Sequence, residues 1–239
     1  MIARRLCSLL FLVCAVAQSH AQQPELTPRT PEHTPPLVPT VTFTFTWDQL
    51  RPNHYAIVVD SAGRAAYESQ SNDPANASAA GDTYIFKFVV SEANRARIFD
   101  LARVANFFQG DFDLKNKRVA FTGTKTLAYA DPQRQSQTSY NVPTHNAVRQ
   151  LTEIFQGISS TLEFARRLTY TRRYDRLGLD NELKKMESLA KSGVLYEVHA
   201  IAPLLREIAA DRNVLHVAQQ RARRLLMLAE KQGSAASAP

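Results

Sequence analysis

Cysteine is almost missing from this chain, because its only two cysteines, Cys7 and Cys14, lie within the first 21 residues. If that segment is removed, the rest of the chain can form no disulfide and offers no thiol nucleophile and no thiolate metal ligand. Small exported domains often rely on disulfides because their hydrophobic core is limited. We therefore expect this chain to fold by packing alone.

Long hydrophobic runs are also missing. The mostly apolar run at residues 6–17 is shorter than the roughly 20 residues that an apolar helix needs to cross a bilayer. Two arginines precede it, and small residues follow at the spacing of a signal-peptidase site. We predict a secretory signal peptide over residues 1–21, cleaved near Ala21, and a secreted or periplasmic protein with no integral membrane span. Val13, rather than a small residue, precedes Cys14, so a lipoprotein anchor is not expected.

Acidic residues are too few to balance the basic ones. Removal of the predicted signal takes away two arginines and no acid, which lowers the net charge from +7 to +5. Residues 22–142 hold 12 bases and 12 acids, so the whole excess lies in residues 143–239. Arginine outnumbers lysine by 21 to 8, and its planar guanidinium suits paired contacts with phosphate or carboxylate. The arginine excess has two interpretations: a surface for an anionic partner, or the codon bias of a GC-rich genome.

Proline divides the chain into regions. Six of the twelve prolines fall in residues 22–40, which favours extended backbone and prevents core packing. We interpret this segment as a linker to a sheet domain with covering helices at residues 41–177. Residues 178–232 are expected to be helical, either as a separate bundle or as a layer folded onto the sheet domain. Residues 233–239 form a small-residue tail that is expected to be disordered.

Strict alternation of apolar and polar residues predicts a β-strand at residues 41–47, and further strand signals predict six more. We expect them at residues 41–47, 55–60, 64–69, 84–90, 118–122, 125–130 and 135–141. Helical periodicity predicts one helix from Ser91, as its N-cap, to about Phe108 and a longer one from about Thr144 to residue 168. The predicted class is α+β: an antiparallel sheet built from two strand–strand–strand–helix units, with helices on one side, followed by a C-terminal helical region.

Three apolar stripes predict helices in the C-terminal region. Gly178 is expected to interrupt the chain, Asp180 to cap the first of these helices, and Gly193 to end it. Pro203 is expected to kink or split the second helix, because proline lacks the N–H that a helix interior needs.

Catalytic and metal-binding motifs are weak. No i, i+4 spacing relates any two of the histidines outside the signal and linker, which are His54, His145, His199 and His216. Residues 121–126 only approximate a phosphate-binding loop, so a hairpin turn is favoured. We expect no cofactor, no metal and no catalytic residue. A hydrolase site assembled from distant residues such as His199 and Asp211 remains an alternative, since catalytic groups need be neighbours only in space.

The strongest functional signal is the stretch at residues 166–176, which holds five arginines and two tyrosines. Arginine beside aromatic rings is typical of sites that bind anionic partners by pairing and stacking. The candidate binding residues are Arg166, Arg167, Tyr170, Arg172, Arg173, Tyr174, Arg176, Arg221, Arg223 and Arg224. The alternative interpretation is an ordinary solvated helix face on which Glu163 pairs with Arg167.

These observations favour an exported, non-enzymatic interaction or scaffolding protein of a bacterial envelope, with an unidentified protein partner. The alternative is a binder of an anionic envelope or extracellular polymer, through the arginine- and tyrosine-rich stretch. The predicted binding residues belong to this second hypothesis, whereas the first rests on the export signal, the proline-rich linker and the lack of a catalytic motif.

Overall fold

The computed structural model describes residues 38–71, 82–116 and 118–234. The predicted signal peptide, both cysteines, nearly all of the proline-rich linker and the end of the tail lie outside these residues. The predictions made for those segments therefore stay predictions.

One antiparallel sheet contains the six β-strands of the described chain. Their bounds are β1 (Thr40–Thr46), β2 (His54–Asp60), β3 (Arg64–Ser71), β4 (Asp82–Val89), β5 (Thr124–Ala130) and β6 (Gln135–Tyr140). The strand order is β4–β3–β2–β1–β5–β6. In β1 the residues Val41, Phe43 and Phe45 are buried on one face, because successive side chains of a strand point to opposite faces.

Five α-helices accompany this sheet in the described chain. Their bounds are α1 (Glu92–Val104), α2 (Asn146–Tyr174), α3 (Arg176–Lys191), α4 (Ala202–Ala210) and α5 (His216–Ser234). Helices α1 and α2 lie against the sheet, where Phe155 of α2 stacks on Phe43 at 5.2 Å. Helix α3 packs on α2 and on α5, and one apolar cluster runs from the sheet through all five helices. The predicted α+β fold with an antiparallel sheet and C-terminal helices is confirmed.

The second strand–helix unit is one strand shorter than predicted. Residues 118–122 form a turn and irregular loop rather than a strand, and the Thr122 N–H donates to the side chain of Asn141 at 2.8 Å. Gly123 follows at φ +94°, and a side chain there would lie 2.7 Å from the ring of Phe45. The chain therefore enters β5 directly from this turn.

Helix α1 ends earlier than its periodicity predicts. The three residues Asn106, Phe107 and Phe108 have φ of 47°, 52° and 67° and form a short left-handed turn. For residues other than glycine, the left-handed conformation costs about 1–2 kcal/mol of conformational free energy per residue. Full burial of Phe108 and the contact of Phe107 with Tyr129 at 4.7 Å offset that cost. Packing here overrides helical periodicity.

Helix α3 begins earlier than predicted. Asp175 is its N-cap and accepts a hydrogen bond from the N–H of Gly178 at 2.8 Å, so Gly178 lies in the first turn and does not interrupt the chain. Asp180, predicted as the cap, lies inside the helix and binds Arg221. Pro203 splits the following segment as predicted, because it lies in the first turn of α4 after a short 3-10 turn.

The other helix ends follow the sequence more closely. Gly193 has a φ of +74° just after α3, which confirms that it ends this helix. Helix α5 includes Gly233 and Ser234, which the sequence assigned to the tail.

Candidate functional site

Helix α2 carries most of the basic stretch, because it continues to Tyr174 rather than ending near residue 168. Beside its last turns lies an open groove of about 660 Å³, hereafter the α2 groove. Its lining residues come from β4, α2 and α3: Tyr84, Arg166, Arg167, Thr169, Tyr170, Thr171, Arg173, Tyr174 and Glu182. Five of the ten predicted binding residues are therefore brought together here.

Several of the predicted arginines bind acidic groups of the protein itself. These pairs are Arg167 with Glu182, Arg172 with Glu207 and Asp211, Arg221 with Asp180 and Glu187, and Arg224 with Glu187. Arg223 donates to the carbonyl of Ala209 at 3.2 Å. Most of these bonds connect two different helices, so they hold helices α2 to α5 together. Arg221, Arg223 and Arg224 lie on α5 and do not line the α2 groove.

The side chains that line the α2 groove form a cationic surface with aromatic walls. Tyr170 and Tyr174 are 63% and 64% exposed, with ring centroids 5.0 Å apart. The guanidinium of Arg173 lies 5.2 Å from the ring of Tyr174, and that of Arg166 lies 5.8 Å from the ring of Tyr84. An aromatic ring orients a guanidinium without neutralising its charge. The groove can therefore attract an anion and stack against a flat group.

A buried carboxylate, Glu163, is close to the groove residue Tyr84. It accepts hydrogen bonds from the hydroxyls of Tyr67 at 2.8 Å and Ser69 at 2.7 Å. The pair of Glu163 with Arg167 that the sequence suggested does not form, because Arg167 turns to α3. Burial, and next the negative charge of Glu163, raise the pKa of Tyr84 to about 12. The Tyr84 hydroxyl therefore stays protonated at neutral pH and can donate to an anion.

Ser91, Glu197 and His199 resemble a catalytic triad in composition but not in order. The Ser91 hydroxyl donates to the Glu197 carboxylate at 2.8 Å, and His199 Nδ1 lies 3.2 Å from the same carboxylate. His199 Nε2 lies 3.2 Å from the carbonyl of Val89. Nucleophilic catalysis needs the base in contact with the hydroxyl, whereas here the carboxylate separates them.

The hydrolase alternative paired His199 with Asp211. In the structure Asp211 binds Arg172 at 3.2 Å and accepts from the N–H of Asn213, while His199 contacts Glu197. Across the described ranges, no group of three His, Cys, Asp or Glu side chains is placed to hold a metal ion. None of the helices in the same ranges is long and apolar enough to cross a membrane.

Sequence reasoning missed the most constrained amine, Lys125. It is only 5% exposed, and its Nζ lies within 2.9–3.2 Å of four oxygens from Thr122, Gly123 and Asn141. Burial lowers its pKa. No motif could have indicated this cluster, because three of the four acceptors are backbone carbonyls. Lys125 ties the loop before β5 to the end of β6 rather than facing a ligand.

No protein-family model and no curated protein sequence matches this chain. No activity can therefore be transferred from a relative. The fold and the site together define an α+β protein that carries a basic, tyrosine-lined groove.

Proposed function

We propose that this protein is an exported, non-enzymatic interaction module that binds anionic groups of a partner in the α2 groove. The observation that carries this proposal is the groove itself, where the guanidiniums of Arg166 and Arg173 lie against tyrosine rings. Export and a location in a bacterial envelope rest on the signal-peptide pattern of residues 1–21. The basic stretch and the charge excess of the C-terminal half thus both support binding of an anionic partner.

Arg173 is the residue on which binding is expected to depend most. Within the described part of the chain it forms no ion pair with a carboxylate, so its charge is available to a ligand. Arg172, its neighbour in sequence, is instead held by Glu207 and Asp211. A guanidinium that already binds two carboxylates gains little from a third, because it would have to give up an existing bond.

The test is charge reversal at Arg173 with a matched reversal elsewhere on the same helix. Binding of fluorescent dextran sulfate and of poly-glutamate is measured for R173E and R149E. Arg149 has a 60% exposed side chain and lies 24 residues earlier, about 36 Å along α2. We expect R173E to weaken binding about tenfold, as loss of an attractive charge and gain of a repulsive one require, while R149E binds like the unchanged protein.

Equal affinities of R173E and R149E would show that the groove is not the binding site. R172E provides a second control, because it removes structural pairs rather than a ligand contact. We expect R172E to lower the melting temperature clearly, and R173E to leave it nearly unchanged.

A further inference from the structure

The α2 groove lies beside an open edge of the sheet. Strand β4 is the last strand in the order of the sheet, and within the described residues it pairs with β3 alone. Tyr84, which lines the groove, belongs to this edge strand. The groove and the edge therefore form one continuous surface.

The backbone direction along β4 follows from two contacts at its end. The N–H of Val90 donates to the carbonyl of Gly63, the residue before β3, so residues of even number direct their backbone groups toward β3. The carbonyl of Val89 points the other way and contacts His199. Because backbone direction alternates along an antiparallel strand, Ile85 and Lys87 direct their N–H and C=O groups outward.

The side chains of β4 alternate between the two faces of the sheet. Tyr84 and Phe86 pack against the core beneath the helices, while Ile85 and Val89 are 60% and 62% exposed on the open face. A strand added beside β4 would pair with Ile85 and Lys87. Every second side chain of that strand would lie on the helix side of the sheet, the side of Arg166 and Arg173.

We infer that the partner of the α2 groove is an extended acidic peptide segment that adds to the sheet along β4, an inference that rests on the proposed function. Main-chain hydrogen bonds to Ile85 and Lys87 supply affinity, as in other cases of strand addition. Carboxylates at alternate positions of the segment reach the arginines of the groove and supply specificity. A second copy of this chain fits less well, because pairing of β4 with β4 would place two cationic grooves side by side.

The probe is a labelled octapeptide in which glutamate alternates with threonine or valine, and its affinity is measured by fluorescence anisotropy. We infer that the segment adds antiparallel to β4, the direction of the other strand pairs in the sheet. In this direction, with the glutamates on the groove side, the N–H groups of the threonine and valine spacers point toward β4. Two modified peptides test this geometry. One carries methyl groups on the backbone nitrogens of two spacers, and the other carries them on the backbone nitrogens of two glutamates. We expect spacer methylation to weaken binding more than tenfold, and glutamate methylation to weaken it less than threefold.

Three further measurements complete the experiment. The octapeptide with glutamine in place of glutamate should bind at least tenfold more weakly. R173E should reduce affinity about tenfold. I85P removes an outward N–H, a change that edge strands tolerate, and should abolish peptide binding while dextran sulfate still binds.

The outcomes separate this inference from the proposed function. If both N-methylated peptides bind alike, or the protein dimerises through β4 in analytical ultracentrifugation and I85P abolishes the dimer, the inference is wrong. If dextran sulfate binds through Arg173 but the octapeptide does not bind, the proposed function stands and the inference fails. If neither probe depends on Arg173, both fail.

Discussion

At the scale of single residues, Lys125 shows how a buried charge can serve the fold rather than a ligand. Its ammonium group has three N–H donors and four oxygen neighbours, so each donor finds an acceptor. A non-polar side chain of similar length would leave those oxygens without their shared donor. Buried acceptors without partners are expensive, so this site should matter for stability.

We expect K125M to lower the free energy of unfolding by about 1–2 kcal/mol, because one buried and three partly buried acceptors lose their donor. Urea denaturation followed by circular dichroism measures the change. The control is K87M, at an exposed position of β4, where the change should stay within about 0.5 kcal/mol. Equal effects of the two substitutions would mean that the Lys125 cluster contributes nothing specific.

Glu187 is the residue most strongly held in its charged form. It is 4% exposed, and a hydrogen bond from Arg224, with others from Lys191 and Arg221, lowers its pKa to about 2. The ordinary pKa of this carboxyl is 4.5, so folding favours the ionised form. Its contribution to stability is complete above pH 4.5 and is lost as the pH falls toward 2.

Glu187 should therefore produce a loss of about 3 kcal/mol in the free energy of unfolding between pH 5 and pH 2, since each pKa unit corresponds to about 1.4 kcal/mol. Denaturation midpoints measured across this range compare the protein with E187Q. The variant should be less stable at pH 6, and the two curves should converge near pH 2. If the two stability curves stay parallel down to pH 2, the ionised Glu187 carboxylate is not the source of this pH dependence.

At the scale of elements, the start of α1 depends on a residue far away in sequence. Ser91 is the N-cap, as predicted, but its side chain makes no capping bond to its own helix. Instead Glu197 accepts from the Ser91 N–H at 2.9 Å and from the Asn94 side chain at 2.6 Å. A carboxylate at a helix N-terminus also interacts favourably with the helix dipole.

We expect E197Q to destabilise the protein by about 1–2 kcal/mol, the usual cost of losing a helix cap. Hydrogen exchange of the first-turn amides of α1 should also be faster in E197Q, because this turn loses its contact with the Glu197 carboxylate. E153Q is the control, since Glu153 lies within α2 and has a 55% exposed side chain. A slow, unchanged exchange rate in E197Q would show that α1 begins independently of Glu197.

Local patterns predicted the elements well wherever one face is buried. The alternation at residues 41–47 identified β1, and the apolar stripe of α2 identified the longest helix, because each pattern records a single buried face. Residues 118–122 were also predicted as a strand but lie in an exposed loop, where no core enforces a strand. The left-handed turn at Asn106–Phe108 could not be predicted, because tertiary packing of two phenylalanines selects it.

The binding residues were only partly predictable, for a related reason. The sequence shows that arginines cluster but not which carboxylates reach them. Arg172 and Arg173 are adjacent in sequence. Arg172 pairs with Glu207 of α4 and with Asp211 just after that helix, whereas Arg173 faces the α2 groove. Those partners lie more than 30 residues away in the chain, beyond what spacing within a helix can indicate.

At the scale of the whole molecule, the charge excess of the C-terminal half is divided between two roles. Arginines of α2 and α5 pair with acids of other elements and hold these helices together, whereas Arg173 lines the α2 groove with no ion pair in the described part of the chain. The net charge therefore overstates how much positive surface a partner meets. Binding should involve one or two guanidiniums rather than the whole basic stretch.

The salt dependence of binding shows whether Arg173 of the α2 groove contacts the anionic ligand. The dissociation constant for dextran sulfate is measured from 50 to 300 mM salt, and the logarithm of affinity is plotted against the logarithm of salt concentration. If Arg173 contacts the anion, the slope for R173E should be shallower than for the unchanged protein by about one unit, since one contact fewer releases counterions. Parallel slopes for the two proteins would show that the anion binds elsewhere.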